Sequence, residues 1–176
     1  MRRLALLLLV LSLTLSIAAN SQSIPPIKGK TLADTDIVLP QPGSTQILIL
    51  VLGFSHKSAE NCAPWGKRLS ADFRSDTHVN YYQLPVLQGA PSFVRPMILR
   101  GMRKDMPADQ QAHFSPILDH EDEWKKLVNF SAPDDAYILL TDPHGQVVWQ
   151  THSALTDASY GALKSALSKL LASPAQ

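Results

Sequence analysis

The chain has a single cysteine, Cys62, among 176 residues. No disulfide can close within it, so any cycle that shuttles two thiols of one chain is excluded. An excess of positive charge is also lacking, with 16 Lys and Arg against 15 Asp and Glu. There is no glycine-rich phosphate loop and no Ser–His–Asp grouping on a nucleophile elbow, and no cofactor or metal motif is found. The one long apolar run of the N-terminus extends from Leu4 to Ile17, interrupted only by Ser and Thr. It is short of the roughly 20 residues that span a bilayer.

That run follows Arg2-Arg3 and precedes the small, polar "AANSQS". Basic start, apolar middle and small-residue end make a secretory signal peptide over residues 1–21, with Ser16-x-Ala18 or Ala19-x-Ser21 as the cleavage pattern. Arg occurs only at its front, whereas a mitochondrial presequence spreads Arg through an amphipathic helix. The expectation is export to a periplasmic or extracellular space, or membrane anchoring where the segment stays uncleaved. No Cys follows the run, which excludes a lipoprotein anchor. Removing the leader takes two Arg away and leaves 14 basic against 15 acidic residues. Near-zero charge argues against a nucleic-acid partner, since displacing counterions needs a strongly basic surface. The remaining residues suffice for one domain.

Residues 22–44 are rich in Pro, Gly, Ser and Thr and read as a lead segment of turns, with one short strand at Ile37-Val38-Leu39. The domain proper is expected over 45–173. "QILILVLGF" (46–54) is apolar on both faces, as befits the middle of a covered sheet. A helix is expected to start near Pro64, with Trp65, Leu69 and Phe73 on one face. "HVNYYQLPV" (78–86) reads as a second strand. Residues 90–107 read as a helix with Pro96 in its first turn and Val94, Ile98 and Met102 on one face. "FSPILDH" reads as a short strand, and "DHEDEWKKLVNF" as a short helix with acids first and lysines later. Two apolar runs around Asp142-Pro143-His144-Gly145 predict a hairpin. The end is an amphipathic helix carrying Leu163, Leu167 and Leu170. Strand, helix, strand, helix, then hairpin and helix imply an α/β sandwich with a parallel and an antiparallel pair.

"AENCAPW" after the apolar strand resembles the active-site turn of thioredoxins, with Trp65 where the second sulfur would stand. With the element order it places the chain in the thioredoxin-like superfamily: a three-layer α/β sandwich with a central mixed sheet and a helical insertion after the second core strand. Within it, Met102-Arg103-Lys104, then Tyr137, Leu140, Asp142, Gly145 and Trp149, resemble the mitochondrial ATP synthase assembly factors that act on the proton-channel subunit, and their bacterial relatives. The resemblance runs from about Pro64 to Leu171 and departs at Val148, where that pattern carries Arg. It implies a chaperone-like role toward a protein partner.

In thioredoxins the first Cys is the nucleophile at a helix start, where the dipole lowers its pKa. Cys62, just before Pro64, is the candidate for that position; used alone it would make a monothiol enzyme or sensor. The resemblance also implies a cis-proline opposite the site, a position that falls on Ala136 here and is expected trans, with Pro133 as the alternative under a shifted alignment. One-cysteine peroxidases use Pro-x-x-x-Thr/Ser-x-x-Cys, but Ser55 and Ala59 stand at those places. A copper site of the Cys-x-x-x-Cys type would need a Cys at Ser58. His56 could share an end of the sheet with Cys62. His120 among Asp119, Glu121, Asp122 and Glu123 reads as a solvated helix start rather than a metal site. Arg95, Arg100, Arg103 and Lys104 form the densest basic patch, a candidate docking surface for an acidic partner or anionic lipid head groups.

Overall fold

The computed structural model describes residues 22–172; the leader (1–21) and residue 173 of the expected domain lie outside them. Eleven elements follow in order: β1 (Ile27–Lys30), β2 (Asp36–Leu39), β3 (Ile47–Gly53), α1 (Ser58–Phe73), β4 (Val79–Pro85), α2 (Arg95–Asp105), a short 3-10 helix (Ala108–His113), α3 (Glu121–Leu127), β5 (Ala136–Thr141), β6 (Val147–His152) and α4 (Asp157–Ala172).

Every residue of β3 is buried because it has a strand on each side and a layer on each face. The main sheet runs β4-β3-β5-β6. β3 pairs β4 in parallel, from Ile47 opposite Val79 to Gly53 opposite Pro85. It pairs β5 antiparallel, with Gly53 opposite Ala136. β5 and β6 form the expected hairpin. Alternate residues of a strand face opposite sides, and here they feed two cores. Ile47, Ile49 and Val51 meet Trp65, Leu69 and Phe73 of α1 and Tyr160, Leu163 and Leu167 of α4. Leu48, Leu50 and Leu52 meet Trp124 and Leu127 of α3, together with Ile24, Ile27, Ile37 and Leu39.

Those last four residues correct the reading of 22–44. The segment is part of the second core rather than a lead of turns, and β1 and β2 form a hairpin of their own. "IKGK" was unreadable as a strand because three of its four residues are exposed. The expected strand at "FSPILDH" is reduced to single parallel bridges, Gln83 to Phe114 and Val86 to Ile117. Pro116 between them has no N–H to continue a ladder. The insertion after β4 is helical as expected, with Pro96 in the first turn of α2.

The hairpin residues of the family resemblance act on the fold. Asp142 Oδ1 accepts the N–H groups of His144 and Gln146 at 2.9 and 2.8 Å, and Gly145 turns the chain at φ 81°. That conformation disfavours a side chain, and a Cβ there would also lie 2.9 Å from Pro40. Buried Tyr137 accepts the N–H groups of Ser131 and Ala132 and donates to the Ala132 carbonyl.

Candidate functional site

The helix after β3 starts six residues earlier than the sequence suggests. Ser55 Oγ accepts the Ser58 N–H at 3.0 Å, and Ser58 Oγ donates to the Ser55 carbonyl at 2.7 Å. This reciprocal Ser–Ser link closes the entry turn and lets the helix begin at Ser58. Asp134, from the loop before β5, holds the same corner, accepting from Ser55 Oγ at 2.7 Å and, through its carbonyl, from Asn61 Nδ2 at 2.9 Å. Pro64 therefore sits inside α1 instead of opening it. It is tolerated because Glu60, whose carbonyl loses its partner, lies on the same exposed face.

The shift relocates the thiol. Cys62 is the fifth residue of α1, one turn past the end of the helix where the dipole would favour a thiolate. The residue at that end is Ser58. Cys62 Sγ turns inward, 3.5 Å from the Leu52 carbonyl to which it donates. It packs against the core that includes Ala136. Burial pushes its pKa from 9 up to about 12, only partly opposed by a hydrogen bond with Ser58. The expected depression of the thiol pKa is thus reversed, because desolvation of the charged form outweighs a dipole one turn away. Gly53 makes the approach possible: a Cβ there would stand 2.5 Å from Ser58 Oγ and 3.1 Å from Cys62 Sγ.

The bond preceding Ala136 is trans, as expected; the cis bond among the described residues precedes Pro40. His56 is exposed, and no hydrogen bond among the described residues joins it to Cys62. His120 takes a left-handed conformation (φ 56°), with Nδ1 2.8 Å from Glu123 Oε1. Among the described residues no three His, Cys, Asp or Glu side chains gather as metal ligands would. Trp65 is fully buried, its indole N–H donating to the Ser153 carbonyl at 3.1 Å, whereas Trp149 is half-buried against the same core.

The basic patch divides. Arg95 donates to the carbonyls of Ala90 and Gln88 at 2.9 and 2.8 Å, which ties α2 to the loop before it. Arg103 donates to the Leu32 carbonyl at 2.8 Å and to Asp34 at 3.2 Å, which fastens α2 to the β1–β2 hairpin. Arg100 and Lys104 have no such partners among the described residues and point from a helix with no buried residue. Sequence reasoning missed their neighbours Phe93 and Met97, which are 83% and 70% exposed. Met97, Arg100 and Lys104 recur at helical spacing on one stripe of α2, and Phe93 lies in the turn just before its first residue.

No family model matches the sequence, and no curated protein does. Solved structures do match. BsSco, a member of the Sco family of cytochrome c oxidase assembly proteins, superposes with TM-score 0.57 at 11% identity, over 88% of this chain and 96% of that one. StoA from Bacillus subtilis gives 0.54 at 15% identity, over 81% and 99%. A thiol:disulfide interchange protein of the thioredoxin family from Chlorobium tepidum TLS gives 0.54 at 12% identity, over 85% and 98%. The chain has a thioredoxin-like fold. Identities this low establish the fold and nothing finer.

Proposed function

We propose that this chain is an exported thioredoxin-fold protein that binds another protein, or assists its assembly, without dithiol redox chemistry. The observation that carries the reading is the state of Cys62. It is the single sulfur of its type, it lies off the helix end, and burial holds it protonated at physiological pH. A nucleophile needs the opposite environment. The resemblance to assembly factors and the structural likeness to BsSco, of a family of cytochrome c oxidase assembly proteins, agree with a binding role, and the leader sequence supports export. α2 and the turn before it supply a surface: exposed Phe93 and Met97, with Arg100 and Lys104 that have no partners among the described residues, suit a partner presenting apolar and acidic groups.

Insulin reduction and peroxide consumption are measured beside co-purification from the native host, with the partner identified by mass spectrometry. The reading expects no thiol-dependent turnover and the same partner on the wild type and on Cys62→Ser. Phe93→Ser with Arg100→Glu and Lys104→Glu should lose it. Turnover that disappears in Cys62→Ser, or a partner captured only through the sulfur, would refute it.

A further inference from the structure

The helix α2 and the turn before it form a ridge on the outside of the domain. None of the eleven residues of α2 is buried. Ile98, Leu99 and Met102 are half-buried on its inner side. Arg95 and Arg103 tie it down through the Gln88, Ala90 and Leu32 carbonyls. The opposite side points to solvent. There Met97 is 70% exposed, and Arg100 and Lys104 follow it at helical spacing, while Phe93, 83% exposed, stands in the turn before the helix. Pro91, Ser92, Pro96 and Gly101, which flank them, are exposed too. The apolar tips thus protrude from a convex surface and do not rim a groove.

The charge of this ridge is of one sign. From Thr77 to Lys104 the chain holds no Asp or Glu, and Arg95, Arg100, Arg103 and Lys104 all fall within that stretch. Asp34 takes up Arg103 at 3.2 Å. Asp105 follows Lys104, but successive residues of a helix are turned about 100° from one another, so it lies off the outward stripe. Glu121, against the loop before the helix, is paired with Lys125 at 2.6 Å. Arg100 and Lys104 therefore keep their charge unanswered among the described residues, in a chain that is near neutral beyond its leader.

We propose that this ridge docks on an anionic lipid bilayer, with Phe93 and Met97 dipping among the head groups and Arg100 and Lys104 lying along lipid phosphates. The inference rests on the binding reading above and names what α2 meets: the surface of a membrane that carries the protein partner. A bilayer fits this place better than a protein surface does. A fluid interface takes a convex apolar tip with no pocket built to match it, whereas a protein partner covers about 800 Å² of fitted surface per side. Long cations without fixed partners follow mobile head groups, and each adds attraction near an anionic surface. The leader, which carries the reading of export, brings the chain to the face of a membrane. Two apolar tips and two cations give a weak, salt-sensitive contact rather than an anchor.

The test is amide exchange on the product that accumulates when the full-length chain is expressed. It is mixed with vesicles of phosphatidylcholine holding about one third phosphatidylglycerol, or of phosphatidylcholine alone. Wild type is expected to gain protection over residues 93–104 with the anionic vesicles at low salt, and to lose it at high salt or with the neutral ones. This local readout separates docking through α2 from attachment through a retained leader. Phe93→Ser, and Arg100→Glu with Lys104→Glu, should each need roughly fivefold more lipid, or still more, for half-maximal protection. Lys67→Glu, at an exposed site on α1 outside the ridge, should need no more than wild type. None of these side chains is buried, and circular dichroism is expected to show every variant folded. No protection on anionic vesicles overturns the proposal. So does protection that neither α2 variant weakens, that Lys67→Glu weakens as much, or that neutral vesicles give equally. A protein captured at α2 by a chain that ignores the vesicles also overturns it and leaves the binding reading standing; thiol-dependent turnover would do the reverse.

Discussion

The state of Cys62 makes a quantitative prediction. Burial lifts the thiol from 9 to about 12. Each unit is tenfold in ionisation. Near pH 8 the native chain therefore holds about one thiolate in ten thousand molecules, against about one in ten for an unfolded chain. Alkylation by iodoacetamide follows the thiolate, so the native rate should be about a thousandfold slower than the rate in guanidinium. The pH profile carries a second signature. The native rate should climb tenfold per pH unit through 11, where the unfolded chain has levelled off above 9. Linkage runs the same way. The folded state holds this proton more tightly, so the unfolded state ionises first, and stability falls as pH rises from about 9 toward 12, with no effect below that window. The assay is mass-spectrometric labelling of a single site. A native rate within tenfold of the unfolded one, or a plateau near pH 9, would refute the argument that desolvation governs this sulfur.

Other perturbations follow from contacts already described. Ser58→Cys places a second sulfur one helical turn from Cys62, both beside Gly53; mild oxidation should close a disulfide within the helix's first turns, read as a loss of two hydrogens in the intact mass, and persistent free thiols would show the sulfurs cannot meet. Gly66→Ala drives a Cβ to within 2.1 Å of the buried Gln83 amide, so a denaturant melt should show a loss of about 1–3 kcal/mol, eased in the Gly66→Ala, Gln83→Ala double variant; an unchanged midpoint would contradict the packing. Arg103→Ala frees the Leu32 carbonyl and Asp34 and should cost about 1 kcal/mol with faster proteolysis of residues 22–44, whereas Arg100→Glu with Lys104→Glu should leave the melt within about 0.5 kcal/mol. Equal losses in the two would erase the division of the patch.

Much of the fold was legible. The apolar run of β3, the hairpin around Asp142–Gly145 and the face of Trp65, Leu69 and Phe73 each carry a periodic signal that tertiary contacts reinforce. The site was less so. Pro64 is a strong local mark for a helix start, and it pointed to the wrong turn because a Ser55–Ser58 link outranked it. Ser-x-x-Ser before the helix was the available signal, a weaker one than Glu or Gln at the last position. The basic patch was visible as a cluster of four, but nothing local separates Arg103, which reaches a carbonyl 71 residues away, from Lys104 beside it.

By itself, the sequence determined what cannot happen and which layers must exist. A single cysteine rules out a disulfide cycle within the chain, and apolar period selects a doubly covered sheet, because composition and spacing act whatever the chain does at long range. Only the tertiary structure decided the state of that sulfur and the work of the basic residues. Desolvation and exposure depend on atoms brought together from distant parts of the chain, such as the Leu52 carbonyl over Cys62 and Leu32 under Arg103.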